Sequence, residues 1–269
     1  MTIPGGYGVS VSLHHRVDGQ GPPLILLHGL FGSLENLGGI AQRLSDQWRV
    51  HALDLRNHGR SPHSDTMDYP AMAADVKAYM DDAGLDRASV LGHSMGGKVA
   101  MELALTWPHS VDRLVVADIA PVAYPPRHDA ILDGLMSLDT AALRSRRDAD
   151  ERLAEKVSTP AVRQFLLKNL VRRREGGFGW RMNLPVIADQ YEAIAAAPSA
   201  SGPFTRPTLF IKGAASDYIG EEAREPTTRL FPAASLRMIP ETGHWLHAEK
   251  PDRFANTVRR FLCAELDRP

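Results

Sequence analysis

The stretch Val90-Leu91-Gly92-His93-Ser94-Met95-Gly96-Gly97 decides the fold. It predicts a buried strand from Ala88 to Gly92, a sharp turn at Ser94 and a helix running to about Trp107. The spacing G-x-S-x-G between a strand and a helix is typical of a nucleophile elbow, in which a strained serine projects above a sheet. The two glycines of the motif leave room where side chains would collide with neighbouring backbone. The helix begins at Met95, so its first amides face the point where negative charge develops on a substrate oxygen.

Composition narrows the class of protein. The 269 residues include 31 Lys and Arg against 32 Asp and Glu, so no overall charge favours nucleic acid. No apolar run approaches the roughly 20 residues of a membrane span. Residues 1–8 lack the basic start and apolar core of a secretory signal. Cys263 is the only cysteine, which rules out a disulfide within the chain. We therefore expect a cytoplasmic protein.

Predicted strands and helices alternate over most of the chain, which indicates a mostly parallel central sheet flanked by helices. Alternating Val9, Val11 and Leu13 predict an early half-exposed strand in an antiparallel pair. The other predicted strands are 24–27, 49–54, 88–92, 114–118, 208–212 and 235–239. The predicted helices are 36–44, 69–83, 95–107, 221–231 and a last helix from Pro251.

The alternation stops after Ala120. Residues 121–203 open with three prolines and then show helical periodicity without a convincing strand. We therefore predict one α/β core, residues 1–120 and 204–269, with an inserted helical cap at residues 121–203.

A serine hydroxyl needs a base to take its proton and an acid to orient that base. The base candidate is His244, in a loop after the last predicted strand, and Gly243 gives that loop conformational freedom. His247, three residues on, is the second choice. Where a serine stands on such an elbow, the acid and then the histidine follow it in the chain, which fits His244.

Two residues compete for the role of the acid. Asp118 ends the strand after the elbow helix, so it leaves the sheet at the same edge as Ser94. Asp217 follows the next core strand, where many hydrolases carry their acid. In those hydrolases the acid commonly stands three residues after the glycine. Here Ser216 is three residues after Gly213, and Asp217 is one residue later. We favour Asp118 and keep Asp217 as the alternative.

An oxyanion hole needs two backbone amides aimed at one point. Met95 supplies one, and the loop His28-Gly29-Leu30 supplies the other, which we assign to Leu30. We expect Leu30 also to line a pocket for the acyl group, together with Phe31 and residues of the cap. The remaining expected substrate contacts lie beside these motifs and are His28, His93 and Trp245.

A polar loop at residues 54–62 carries no obvious nucleophile. It suits either an active-site water network or internal hydrogen bonds that fix the loop, and we favour the second, with an ion pair between Asp54 and Arg56. The histidines at 14, 15, 58 and 63 lack metal-ligand spacing, and phosphate-binding glycine motifs are absent. We therefore expect no metal and no cofactor.

Five motifs occur together in one order: HGLFGS from His28, DLRNHGRSP from Asp54, GHSMGGK from Gly92, DIAPV from Asp118 and GHW from Gly243. Together they resemble a bacterial esterase and acyl-CoA thioesterase group of the α/β-hydrolase superfamily, which has mitochondrial relatives. The resemblance implies an α/β-hydrolase fold and a catalytic triad on Ser94, Asp118 and His244. It also implies hydrolysis of small-molecule esters with short to medium acyl chains, with acyl-CoA thioesters as a further class.

Other functions fit the same residues. A carbon–carbon bond hydrolase uses a similar serine, histidine and acid, and a small-molecule signalling receptor can retain the triad. The cap is rich in basic residues, and these suggest either a coenzyme A phosphate site or a solvated helix face. The cations are Arg144, Arg146, Arg147, Arg152, Lys156, Arg163, Lys168, Arg172, Arg173 and Arg174.

Overall fold

The computed structural model describes residues 10–200 and 202–264. The strands are β1 His15–Asp18, β2 Pro23–Leu27, β3 Arg49–Leu53, β4 Ala88–His93, β5 Val111–Ala117, β6 Leu170–Arg172, β7 Phe178–Trp180, β8 Thr208–Gly213 and β9 Ala234–Ile239. The helices are α1 Gly38–Leu44, α2 Tyr69–Asp82, α3 Met95–Thr106, α4 Asp129–Ser137, α5 Arg146–Leu153, α6 Pro160–Leu167, α7 Leu184–Asp189, α8 Tyr191–Ala195, α9 Arg224–Leu230, α10 Leu246–Glu249 and α11 Pro251–Cys263.

The central sheet has seven strands in the order β1-β3-β2-β4-β5-β8-β9. Only β1 is antiparallel to its neighbour, so the predicted mostly parallel sheet is confirmed. Both faces of the sheet are covered: Leu24 and Leu26 of β2 pack on one side, Ile25 and Leu27 on the other. Helices α2 and α3 lie over one face, and α1 packs with α11 over the other. This double coverage explains why β2 reads as an unbroken apolar run.

The first strand lies later in the chain than predicted. Val9 is outside the described residues, and residues 10–14 are irregular, so the strand predicted around Val11 and Leu13 is wrong. The amide of Val11 donates to Asp75 Oδ1 at 2.8 Å, a side-chain partner in place of a strand partner. The predicted antiparallel pair exists, but residues 15–18 form it with β3.

The chain leaves the sheet after β5 and returns at β8. The segment between them, which we call the cap, contains helices α4 to α8. It also contains the antiparallel hairpin β6–β7, so the prediction of a cap without strands is wrong. Gly176 and Gly177, with φ +101° and +71°, lie in the turn between the two strands. Each strand has three residues, too few to show alternating apolar and polar residues in the sequence. Within the described ranges, no helix is long and apolar enough to cross a bilayer.

Buried polar contacts from the elbow helix hold the C-terminal end of the cap. The Lys98 ammonium donates to the carbonyl of Ala195 at 3.1 Å. One turn further on, the Glu102 carboxylate accepts hydrogen bonds from the amide and the hydroxyl of Ser199, both at 2.7 Å. Lys98 and Glu102 are both buried, and these hydrogen bonds give each a polar partner. Helix α3 therefore connects the core to this part of the cap.

Candidate active site

Ser94 occupies the turn between β4 and α3 with φ 53° and ψ −123°, a conformation that non-glycine residues rarely adopt. The surrounding packing imposes it. A Cβ on Gly92 would lie 2.0 Å from the carbonyl oxygen of Gly96, and a Cβ on Gly96 would lie 2.4 Å from that of Leu27. The backbone around the turn is therefore packed too closely for a side chain at Gly92 or Gly96, as the motif predicts.

The register of the sheet brings Asp118 beside Ser94. His93 pairs with Ala117 at the ends of β4 and β5, so the next residue of each strand leaves the sheet at the same edge. Asp118 also has a positive φ, 53°, and its side chain is fully buried. Its Oδ1 accepts a hydrogen bond from the amide of Gly213 at 2.9 Å.

His244 lies between these two residues, in the loop after β9. Its Nδ1 is 2.8 Å from Asp118 Oδ2, and its Nε2 is 3.0 Å from Ser94 Oγ. A carboxylate can only accept, so Nδ1 carries the proton and Nε2 is left to accept from the serine hydroxyl. The ring of Tyr218 stacks on the imidazole at 4.0 Å and fixes its plane.

Asp217, the alternative acid, lies elsewhere. Its side chain is 78% exposed and forms an ion pair with Arg127 at 2.9 Å. Its neighbour Ser216 points inward and donates to Asp118 Oδ2, the oxygen that also faces His244. Sequence reasoning missed this contact, although the position of Ser216 after Gly213 was the signal that could have revealed it.

The loop that carries Leu30 packs against the elbow. A Cβ on Gly29 would lie 3.3 Å from Ser94 Cβ, so the Leu30 backbone is close to the serine. The loop is held from behind by His28 and His58: His28 Nε2 accepts from the amide of Leu55 at 3.0 Å, and His58 Nε2 accepts from an amide of the loop at 3.1 Å. Burial lowers the pKa of His28 to about 4 and that of His58 to about 3, so both rings are neutral acceptors.

The residue 54–62 loop contradicts one prediction. Arg56 does not pair with Asp54; it makes a bidentate pair with Asp75, 2.6 and 2.8 Å, with both side chains fully buried. Asp54 instead accepts from the amides of Leu34 and Arg60, at 2.7 and 2.8 Å. A carboxylate that caps backbone amides has no room for a guanidinium, which explains why the arginine reaches α2.

The expected substrate contacts take different positions. Phe31 and Trp245 line an open cleft beside Ser94. His28 also borders the cleft, but its Nδ1 donates to the Gly29 carbonyl and its Nε2 is occupied, so both nitrogens are used. His93 is buried, and its Nε2 donates to the carbonyl of His244 at 2.8 Å.

His247, the second choice for the base, packs its ring 4.3 Å from that of His93. Burial lowers its pKa to about 4. It is buried at the border of the same cleft, and His244 is the histidine that reaches the Ser94 hydroxyl.

Two cavities meet at Ser94. The cleft that contains His244 and Trp245, which we call the outer cleft, has a volume of about 740 Å³. The second space, which we call the inner cavity, lies between α3 and the cap and has a volume of about 40 Å³. Leu30 lines both, so the nucleophile and the Leu30 loop stand on the boundary between the two spaces.

The inner cavity carries polar residues that sequence reasoning missed. Lys98 lies one helical turn beyond Ser94, with its ammonium over the ring of Tyr124 at 4.7 Å and that of Tyr69 at 5.5 Å. Burial lowers the pKa of Lys98 to about 7. The GHSMGGK motif contained this lysine, but its spacing from Ser94 alone gave no indication of a cavity there.

Four of the ten cap cations, Arg144, Arg147, Arg152 and Arg163, form ion pairs with carboxylates. Arg144 and Arg152 share Asp148, and Arg163 binds Asp150 at 2.9 Å. Lys168 is the member of the predicted basic set that lines the outer cleft. Three of these pairs join residues four positions apart and stabilise the local helix, so these arginines need no coenzyme A phosphate to explain them.

The family profile for the alpha/beta hydrolase fold matches residues 22–251. The chain belongs to this family. The α/β-hydrolase is 40% identical to the esterase YbfF of Escherichia coli over 89% of this chain and 92% of that protein. It is 42% identical to the sn-1-specific diacylglycerol lipase ABHD11 of Xenopus tropicalis, over 90% and 78% of the two chains.

Among solved structures, a marine microorganism esterase superposes with a TM-score of 0.92 at 38% identity, covering 94% of this chain and all of that one. These similarities confirm the predicted fold and the predicted enzyme class. The protein is an esterase- or lipase-type α/β-hydrolase.

Proposed function

We propose that this hydrolase cleaves carboxylic esters through an acyl-enzyme on Ser94, with His244 as base and Asp118 as orienting acid. One observation carries the proposal: an unbroken hydrogen-bond path runs from Ser94 Oγ through His244 to Asp118, with steps of 3.0 and 2.8 Å. Such a path makes a serine hydroxyl nucleophilic at neutral pH.

The first half of the reaction forms the acyl-enzyme. Ser94 Oγ attacks the ester carbonyl carbon while His244 Nε2 takes its proton, and the negative charge moves to the carbonyl oxygen. The amides of Leu30 and Met95 hold that oxyanion, because the first lies in the loop against Ser94 and the second begins α3. The carbon–oxygen bond to the leaving group breaks, and His244 returns the proton to the departing alcohol.

The second half releases the acid. His244 takes a proton from a water molecule, the resulting hydroxide attacks the acyl carbon, and the bond to Ser94 Oγ breaks with return of the proton to the serine. Asp118 stabilises the imidazolium in both halves through Nδ1. The amide of Gly213 and the hydroxyl of Ser216 keep the carboxylate aimed at the ring.

Thioesters extend the proposed substrate class, since a thiol replaces the alcohol as leaving group without any change in the protein groups. Lys168 at the outer cleft supports a coenzyme A phosphate contact. Acetyl-CoA compared with the acetyl thioester of N-acetylcysteamine tests this part: a kcat/KM advantage for the CoA substrate that disappears in Lys168→Met supports it. Equal kcat/KM values for the two thioesters contradict it.

The main test is turnover of p-nitrophenyl esters of increasing chain length by the wild type and by Ser94→Ala. We expect repeated turnover by the wild type and a loss of about 10⁶-fold in kcat for the variant, since a triad acts as a unit. A fluorophosphonate should label Ser94 in the wild type only. A folded Ser94→Ala protein with wild-type turnover would refute the proposal. Slow single turnover by the wild type would indicate a receptor instead.

A further inference from the structure

The two cavities at Ser94 differ in their access to the proposed base. His244 lines the outer cleft and is not among the residues that line the inner cavity in the described part of the chain. In an acyl transfer the histidine must hand its proton to the oxygen that leaves. The leaving oxygen must therefore sit on the His244 side of Ser94, and the group attached to it extends into the outer cleft.

We infer that the acyl group occupies the inner cavity and the leaving group the outer cleft, so that the substrates are esters of small acids with bulky alcohols. The inference rests on the proposed function and adds a direction to it. The Leu30 loop, on the boundary between the cavities, holds the carbonyl oxygen between the two parts of the substrate.

The size and chemistry of the inner cavity limit the acyl group. Its volume, about 40 Å³, is less than a tenth of the roughly 740 Å³ of the outer cleft. Lys98 lies among its lining residues with its ammonium bound to the Ala195 carbonyl and over the rings of Tyr69 and Tyr124. A long apolar chain that reached this ammonium would lie against a polar group and offer it no hydrogen bond, which is unfavourable. Short acyl groups stop before it.

The outer cleft suits a large and partly aromatic alcohol. Phe165 of the cap and Trp245 of the histidine loop both line it and pack against each other, with ring centroids 6.1 Å apart and planes tilted by 51°. Phe31 and Ile131 add apolar surface to the lining. Aromatic rings accept other flat apolar groups in stacked or edge-on geometry, so a benzyl group fits this wall.

The test compares two constitutional isomers, benzyl acetate and methyl phenylacetate. The aromatic ring is in the alcohol of the first and in the acid of the second, while both leaving groups are primary alkoxides of similar basicity. We expect kcat/KM, corrected for the alkaline hydrolysis rate of each ester, to favour benzyl acetate by about tenfold or more. A smaller preference, or preference for methyl phenylacetate, overturns the inference.

A matched pair of variants locates the effect. Ile194 lines the inner cavity, whereas Ile40 of α1 packs in the core on the other face of the sheet and lines neither the cavity nor the cleft. Ile194→Ala should shift the isomer ratio toward methyl phenylacetate by about tenfold, because removing a branched side chain makes room for the phenyl ring, whereas Ile40→Ala should leave the ratio within about twofold. The ratio within each variant is independent of how much protein is folded. An unchanged ratio in Ile194→Ala contradicts the assignment.

Failure of this inference is distinguishable from failure of the proposed function. If Ser94→Ala abolishes hydrolysis of both isomers while the wild type prefers methyl phenylacetate, Ser94 is the nucleophile and only the direction of binding is wrong. If Ser94→Ala hydrolyses both isomers at the wild-type rate, the proposed function itself fails.

Discussion

Ser216 donates its hydroxyl hydrogen to the carboxylate of Asp118, across 98 residues of chain. It does so from the position three residues after Gly213, where many hydrolases of this fold carry the acid itself. The proposed acid, Asp118, stands one strand earlier, and Ser216 in the usual place donates a hydrogen bond to it. Asp118, which follows β5, therefore binds Gly213 and Ser216 at the end of β8 and His244 in the loop after β9.

We predict that Ser216→Ala lowers kcat/KM for p-nitrophenyl esters by about tenfold, since a hydrogen bond to a charged group contributes about 1.5–3 kcal/mol. Asp118 keeps the Gly213 amide, so the site survives. Steady-state kinetics measure the effect. Ser137→Ala, which removes only a local hydrogen bond to Gly134, is the control and should retain activity. Equal activity of Ser216→Ala and the control would show that Ser216 does not orient the acid.

Exchanging each candidate acid for its amide separates Asp118 from Asp217. Asp118→Asn should lower kcat by about 10⁴-fold, because an amide facing Nδ1 favours the wrong imidazole tautomer. Asp217→Asn should change kcat by no more than about twofold, since an exposed ion pair with Arg127 contributes little. Both are measured with the same ester and compared by circular dichroism. A large loss in Asp217→Asn with an active Asp118→Asn would reverse the assignment.

Stability should fall as the pH decreases from 6.5 toward 4. Burial lowers the pKa of His58 from 6.5 to about 3 and that of His28 from 6.5 to about 4, so over this window the unfolded chain binds protons that the folded chain does not. Each such histidine reduces the free energy of unfolding by on the order of 1 kcal/mol per pH unit. Urea titrations between pH 7.5 and 4.5 measure the slope.

A pair of histidine variants tests the origin of that slope. His58→Gln removes one titrating group and should flatten it, although the variant is less stable at pH 7.5. His109→Gln, at an exposed position, should leave the slope unchanged. Identical slopes in all three proteins would mean that His58 is not neutral in the folded state.

The buried pair of Arg56 and Asp75 should matter far more to stability than a surface pair. Arg56→Met leaves a fully buried carboxylate without its cation and should cost about 3–5 kcal/mol of unfolding free energy. Arg16→Met breaks the pair with Asp18, whose side chains are 47% and 41% exposed, and should cost less than about 1 kcal/mol. Chemical denaturation compares the two, and equal losses would refute the distinction.

The elbow was predictable because its geometry depends on local sterics. A strand, a serine with positive φ and a helix can follow one another only if glycines stand where β4, α3 and β2 nearly touch, and Gly92 and Gly96 record that requirement in the sequence. The strands were predictable for a related reason, since double coverage by helices demands continuous apolar runs. The position of Asp118 at the end of β5 then followed from the parallel order of the strands.

Contacts between distant segments were not predictable in the same way. Arg56 has Asp54 two residues away, yet its partner is Asp75, because Asp54 is already occupied by amides. The hairpin of the cap has three-residue strands, too short to show a period of two. The neighbours of Lys98 depend on how the cap folds over α3, which no motif describes.

Lys98 and Glu102 hold the last residues of the cap, 195–200, against the core. An engineer who replaced residues 121–203 with a foreign cap would lose these contacts. The graft should instead keep residues 195–200 of this chain, because Lys98 would otherwise lose the Ala195 carbonyl and Glu102 would lose the backbone and hydroxyl of Ser199. Exchange of the cap in this protein is thus limited by two side chains of α3, the helix that follows Ser94.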